Sequence, residues 1–144
     1  ISWVNGLDQF ANRRTDTGNL SLKGFAPALA PEWTASFQVS YDFVLPGGSV
    51  LTPMLQAQYS DEYFSFDVNT PESAQDSYVI ADARVLWLSS SKAVELQAYV
   101  LNIGDEEVLT RSVIFNPGDA PDLAAIQSSW NNPRVWGLSA SYNF

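Results

Sequence analysis

Trp33-Thr34-Ala35-Ser36-Phe37-Gln38-Val39-Ser40-Tyr41-Asp42-Phe43 carries an apolar or aromatic residue at every odd position and a polar one at every even position. A period of two is that of a β-strand with chemically different faces. The alternation resumes after Leu45-Pro46-Gly47-Gly48, a tight-turn signature. Leu51, Pro53, Leu55, Ala57 and Tyr59 then fall on one side, and Thr52, Met54, Gln56, Gln58 and Ser60 on the other. The two stretches predict a hairpin. Pro53 is expected to disturb it locally, because proline has no N–H to give to a ladder.

Working outward, Val79, Ala81, Ala83, Val85 and Trp87 form another apolar row, opposed by Ile80, Asp82, Arg84, Leu86 and Leu88. After the turn Ser89-Ser90-Ser91-Lys92, Val94, Leu96, Ala98 and Val100 oppose Glu95, Gln97 and Tyr99. Trp136, Leu138, Ala140, Tyr142 and Phe144 close the chain against Gly137, Ser139, Ser141 and Asn143. The pattern therefore predicts an all-β fold of five long antiparallel, up-and-down strands near residues 33–44, 49–60, 77–88, 92–102 and 134–144. Residues 1–4 could end an earlier strand, and residues 6–31 lack sustained periodicity and read as loop. Pro121 followed by Leu123-Ala124-Ala125-Ile126-Gln127 predicts a short helix.

Composition narrows the chemistry. The 144 residues are 46% hydrophobic and only 16% charged, a balance that excludes a disordered acidic tail. A formal net charge of −9 leaves no basic stripe to neutralise phosphates, so nucleic acid is not an expected partner. With neither Cys nor His, the chain can build no thiolate or imidazole metal site, no Cys nucleophile and no His-based triad. No run of eighteen apolar residues is present, which argues against a transmembrane helix but not against barrel strands. Beginning at Ile1 without an initiator Met or a signal segment, the sequence reads as a fragment.

Alternation alone leaves a soluble sandwich and a membrane barrel equally open. Three features favour the barrel. Strands of about eleven residues, tilted near 45°, span about 25 Å, the height of an outer-membrane apolar band. The apolar rows hold no charged residue and, Phe37 excepted, place aromatics at their ends: Trp33, Tyr59 and Trp136 at one level, Tyr41, Phe43, Trp87, Tyr142 and Phe144 at the other. Connections alternate between short turns and long segments, and residues 1–32, 61–76 and 104–132 carry thirteen carboxylates against four cations, the whole net charge. Short periplasmic turns and long extracellular loops have that asymmetry.

Several stretches resemble the last strands of TonB-dependent outer-membrane receptors. Trp136-x-Leu138-x-Ala140-x-Tyr142-x-Phe144 resembles the C-terminal signature of bacterial outer-membrane proteins. Ala30-Pro31-Glu32-Trp33-Thr34 is similar to that receptor family's Ala-Pro-x-Trp/Phe-Thr strand start, and Ser77-Tyr78-Val79-Ile80-Ala81-Asp82-Ala83-Arg84 to its Ser-Tyr-x-Leu-x-Asn-Ala-Arg strand. Val100-Leu101-Asn102-Ile103-Gly104-Asp105 is similar to its Val-x-Asn-Leu-x-Asp segment. Asp82 stands where Asn is commoner, and Gly104 where a larger residue is usual. The resemblance covers residues 30–144. It implies the C-terminal part of a 22-strand barrel in the bacterial outer membrane, whose absent N-terminal plug engages the TonB complex. It implies energised uptake of a scarce nutrient such as a ferric siderophore. It further implies that Trp136, Leu138, Ala140, Tyr142 and Phe144 form the signal read by the β-barrel assembly machinery.

Other readings remain beside it: a soluble β-sandwich that binds carbohydrate, and a passive porin. In the register above Asp82, Arg84, Glu95 and Gln97 share the polar face, which in a barrel of this family meets lumen water and plug. They read as orienting groups rather than catalytic ones, since no positioned nucleophile accompanies them. Enzymatic activity, cofactors and metals are not expected. Asp105-Glu106-Glu107 lacks the alternate-position spacing and Gly of an EF-hand and reads as a solvated acidic loop. Arg111, Trp130 and Asn131 in the long final loop are candidates for capturing a small-molecule ligand, with Trp130 equally suited to packing the loop.

Overall fold

Strands dominate the computed structural model, which describes residues 2–3, 22–115 and 125–144. In chain order they are β1 (Ser2–Trp3), β2 (Thr34–Ser40), β3 (Phe43–Val44), β4 (Val50–Ser60), β5 (Tyr63–Phe64), β6 (Ala74–Gln75), β7 (Tyr78–Leu88), β8 (Val94–Leu101), β9 (Leu109–Phe115), β10 (Ala125–Trp130) and β11 (Val135–Tyr142). All ladders between these strands are antiparallel. The fold is all-β, and a single 3₁₀ turn, Pro71–Ser73, is the only helical element among the described residues.

The chain divides into two compact units. One comprises residues 33–61, 77–107 and 132–144. It is an up-and-down meander in the order β2-β4-β7-β8-β11, with β3 also on β4. These are the five segments that the period-two pattern predicts. Gly47 and Gly48, with φ of 93° and 84°, close the β3–β4 turn, a conformation glycine adopts without a Cβ clash. Its ends are joined by the Leu45 N–H donating to the Ser49 carbonyl at 2.8 Å. The β7–β8 turn is equally tight, with Ser89 N–H donating to Val94 O at 2.9 Å.

Pro53 causes the irregularity expected of it, but in the neighbouring strand. The β4–β7 register runs unbroken through Pro53↔Val85, whereas β2 ends at Ser40 and β3 begins at Phe43. Tyr41 donates its N–H to the Pro53 carbonyl at 3.2 Å, and the proline has no N–H to return. Half of that paired bond is missing, so the outer strand is split while the inner ladder is intact.

The other unit comprises residues 1–32, 62–76 and 108–131. It contains the sheet β1-β10-β9 and the ribbon β5-β6. Two expectations change here. The final long segment is not loop throughout, since β9 and β10 form a hairpin within it. Ala125-Ile126-Gln127, expected in a short helix, lie in β10; residues 121–124 of that expectation lie outside the described residues. Pairing of Ala125, Ile126 and Gln127 with Phe115, Ile114 and Val113 outweighs the local helix preference of this Ala-rich stretch. Residues 2–3 are strand, as a strand end at the N-terminus would require, and pair with β10. Of the loop expected over 6–31, residues 6–21 lie outside the described residues, and residues 22–31 form no strand, making only an isolated bridge from Ala28 to Phe64.

Candidate functional site

Register converts the alternating sequence into two chemically distinct faces of the meander. Val39, Leu55, Ala83, Val100 and Trp136 are successive cross-strand partners, as are Leu51, Trp87, Leu96 and Ala140. The intervening rows hold Gln38, Gln56 and Asp82, then Ser40, Met54, Arg84, Tyr99 and Gly137. One face therefore carries no charged residue. The apolar face is bare within this unit: Phe37 is 59%, Leu138 79% and Trp136 78% exposed.

Phe37 apart, which lies at the centre of its strand, the aromatic residues of that face lie along two oblique bands. Trp136 is level, across the sheet, with Val39, which is six residues beyond Trp33 on β2's segment. At the other end Tyr41 is level with Pro53, Val85, Ala98 and Leu138, and Phe144 lies six residues beyond Leu138. Tyr59 and Trp87 fall between, Tyr59 two residues off the Trp33 row and Trp87, level with Phe43, two residues off the Tyr41 row in the same direction. Six residues along a strand is about 20 Å and four strand spacings about 19 Å, so both lines are inclined by about 45° to the ladder direction. They are parallel. Eight residues separate Trp33 from Tyr41 and Trp136 from Phe144, which is about 18 Å measured perpendicular to the lines. Tyr41 and Phe43 meet edge-on at 4.7 Å, and Tyr142 and Phe144 at 5.4 Å.

On the polar face, Gln97 Oε1 accepts from Ser139 Oγ at 3.4 Å across the β8–β11 ladder. Glu95 is the partner of Leu88 and Ser141, and Arg84 that of Met54 and Tyr99. Gly137 lies opposite Tyr99 so closely that a Cβ placed on it would come within 2.4 Å of the phenolic oxygen. A glycine here lets the Tyr99 ring cover the ladder.

Asp82 has a specific partner. Its Oδ1 accepts the backbone N–H of Asn102 at 2.9 Å, and Asn102 ties the β8 exit together. Asn102 Nδ2 donates to the carbonyls of Glu106 at 2.9 Å and Asn132 at 3.2 Å, while its Oδ1 accepts the Glu106 N–H at 2.9 Å. Its φ of 52° is left-handed, a region asparagine tolerates better than most residues. Asp105 then accepts the Arg134 N–H at 2.7 Å, and Arg134 Nη1 donates to Ile103 O at 3.2 Å. The Val100–Asp105 motif is thus a hydrogen-bonded knot holding the start of β11, and one carboxylate of the acidic stretch is engaged in it. Among the described residues no cluster of three or more carboxylates is placed to hold a metal ion.

Neither a family model, nor a curated protein, nor a solved structure matches the chain.

In the other unit, Arg111 pairs with Ser129 on the β9–β10 hairpin, and a register shift follows between Ser129 and Trp130. Arg111 and Trp130 are exposed, Trp130 by 56%. Asn131 instead clamps the hairpin base, its Oδ1 accepting Val108 N–H at 2.8 Å and its own N–H donating to Val108 O at 3.0 Å. Beneath lies a buried hydroxyl cluster that the sequence pattern did not reveal. Ser65 Oγ is 3.0 Å from the Ser73 carbonyl and 2.8 Å from Ser112 Oγ, and Ser112 Oγ is 3.3 Å from Oγ of Ser128, which is exposed. Gln75 Oε1 accepts Leu109 N–H at 2.6 Å, and Tyr63 Oη donates to Leu109 O at 2.8 Å. Position along a strand was the only available signal, because a serine is the same letter in solvent and in a polar core.

Proposed function

We propose that the chain is the C-terminal part of the β-barrel of a TonB-dependent transport receptor in the bacterial outer membrane. The observation that carries the membrane reading is the pair of parallel aromatic lines. In a barrel, strands tilt by about 35–45° to the bilayer normal, so a girdle at constant depth must cross the ladder obliquely. Here both lines do so by about 45°, in the same sense, with an uncharged face between them. Lipid and headgroup are the partners such a face fits.

The receptor reading rests on the ordered succession of strand motifs, from Ala30-Pro31-Glu32-Trp33-Thr34 through the Asn102 knot to the terminal Phe144. On this reading the unit containing β9 and β10 is built from the extracellular segments, and Arg111 and Trp130 offer a cation and an aromatic ring to a small ligand. Asp82, Arg84, Glu95 and Gln97 face the lumen. The assembly machinery would take hold of β11, and the TonB complex would act through the N-terminal plug.

The test uses the complete protein in a Gram-negative host. Recovery in the outer-membrane fraction, with nutrient uptake that stops when the TonB complex is deleted, is the expected result. Outer-membrane recovery with uptake indifferent to TonB would favour the porin. A monodisperse protein in plain buffer without detergent would favour the sandwich.

A further inference from the structure

The apolar face is not uniformly filled. Ala98 and Ala140 sit between Trp87, Leu96, Val85 and Leu138, and the step in side-chain size leaves a groove of about 440 Å³ across β7, β8 and β11. Ala98 and Ala140 lie midway between the two aromatic lines, and Trp87 lies on one of them. The groove therefore runs from mid-depth towards the short-turn rim. Beyond Trp87 on that rim is the turn Ser89-Ser90-Ser91-Lys92. Lys92 is exposed, and its φ of 60° makes it the residue on which this turn reverses. Neither short turn, residues 45–49 or 89–93, contains a carboxylate, and Lys92 is their only cation in a chain of net charge −9. Glu95, the nearest acidic side chain in sequence, belongs to the opposite, polar face of β8.

We infer that this groove holds one acyl chain of an anionic phospholipid of the short-turn leaflet, with the lipid phosphate at Lys92. An apolar slot suits the chain, an interfacial indole suits the glycerol level, and the Lys92 ammonium, the only cation of the two short turns, selects the charge. The inference rests on the membrane reading above and adds a site and a headgroup preference to it.

The complete protein, purified in detergent, is offered phosphatidylglycerol or phosphatidylcholine with identical chains, and retained lipid is counted by native mass spectrometry. One phosphatidylglycerol retained in preference to phosphatidylcholine is expected. Lys92→Gln should reduce that preference about fivefold, and Lys92→Arg should keep it. Ala98→Phe, which fills the groove with an apolar ring, should release both lipids while Lys92 is untouched. Equal retention of the two lipids, a preference unaffected by Lys92→Gln, or a second protein copy covering the face in place of lipid would each overturn the inference. Insertion into phosphatidylcholine vesicles, assayed in parallel, separates the two levels. Insertion without headgroup preference overturns this site alone, whereas failure to insert overturns the membrane reading and the site with it.

Discussion

Replacing Ala140 and Ala81 by Arg, one at a time, tests the inclination of the aromatic lines. The two positions begin with the same side chain on the same apolar face, so the cost of removing it is common. They differ in depth, and the direction of the difference depends on the tilt. Along β11, Ala140 is four residues, about 13 Å, from both Trp136 and Phe144, hence about 9 Å in depth from either line. The line from Trp33 to Trp136 crosses β7 close to residue 80, so Ala81 lies within about 2–3 Å of it in depth. Were depth constant along the ladder, the order would reverse. Ala81 is level with Ala57 and Phe37, the centre of the first strand, while Ala140 is level with Trp87, Leu51 and Phe43 at its rim. Arginine on the lipid face costs about 2–4 kcal/mol at the midplane and about 0–1 kcal/mol at the interface. Ala140→Arg should therefore destabilise by about 2–4 kcal/mol and Ala81→Arg by no more than about 1 kcal/mol. The assay is urea unfolding of the complete barrel in lipid vesicles, followed by tryptophan fluorescence. Ala81→Arg as the costlier variant would refute the inclination, and equal small costs would refute the lipid-facing assignment of the row.

Three further outcomes are expected. Gly137→Ala drives a methyl group into the Tyr99 ring and should cost about 1–3 kcal/mol, most of it absent when Tyr99 is also Ala, as a double-mutant cycle in the same unfolding assay would report. Asn102→Ala removes three side-chain hydrogen bonds and leaves a left-handed backbone on a less tolerant residue, a loss of about 2–5 kcal/mol that should also speed amide exchange at Glu106. Deleting Phe144 should lower the amount of barrel inserted in the outer membrane while leaving ligand affinity per inserted molecule unchanged; full insertion after the deletion would reject an assembly role.

The meander was legible because its two faces differ in chemistry. Leu51 to Tyr59 alternates apart from Met54, and Val79 to Trp87 keeps both of its charges, Asp82 and Arg84, on one face although Ile80 and Leu86 share it; a one-residue slip of either strand would carry Gln56 and Gln58, or those two charges, onto the apolar face. The β9–β10 hairpin lacked that contrast. Its buried position 112 is a serine, bonded to Ser65 on one side and to the exposed Ser128 on the other, so neither face stands out by hydropathy. Ala125-Ile126-Gln127 was misread for the same reason, since helix propensity was the strongest local signal left. Arg111 and Trp130 could be placed by type and exposure. Asn131 could not, because the same amide that would greet a ligand also closes a hairpin. For Asp82 the sequence offered a charge on a polar face, and only the fold supplied its partner, the Asn102 amide twenty residues on.

The split between β2 and β3 has a bearing on where water reaches. Pro53 brings no N–H to the Tyr41 carbonyl, and a backbone carbonyl without a partner is costly in hydrocarbon but not beside a headgroup. On the membrane reading, Tyr41 lies on the line that runs to Phe144, the depth at which hydration resumes. On that reading proline in this strand acts as a depth gauge. The same substitution at Leu55, midway between the lines, would withhold a donor where no solvent can replace it, so the strand that accepts proline at 53 should reject it two residues further in.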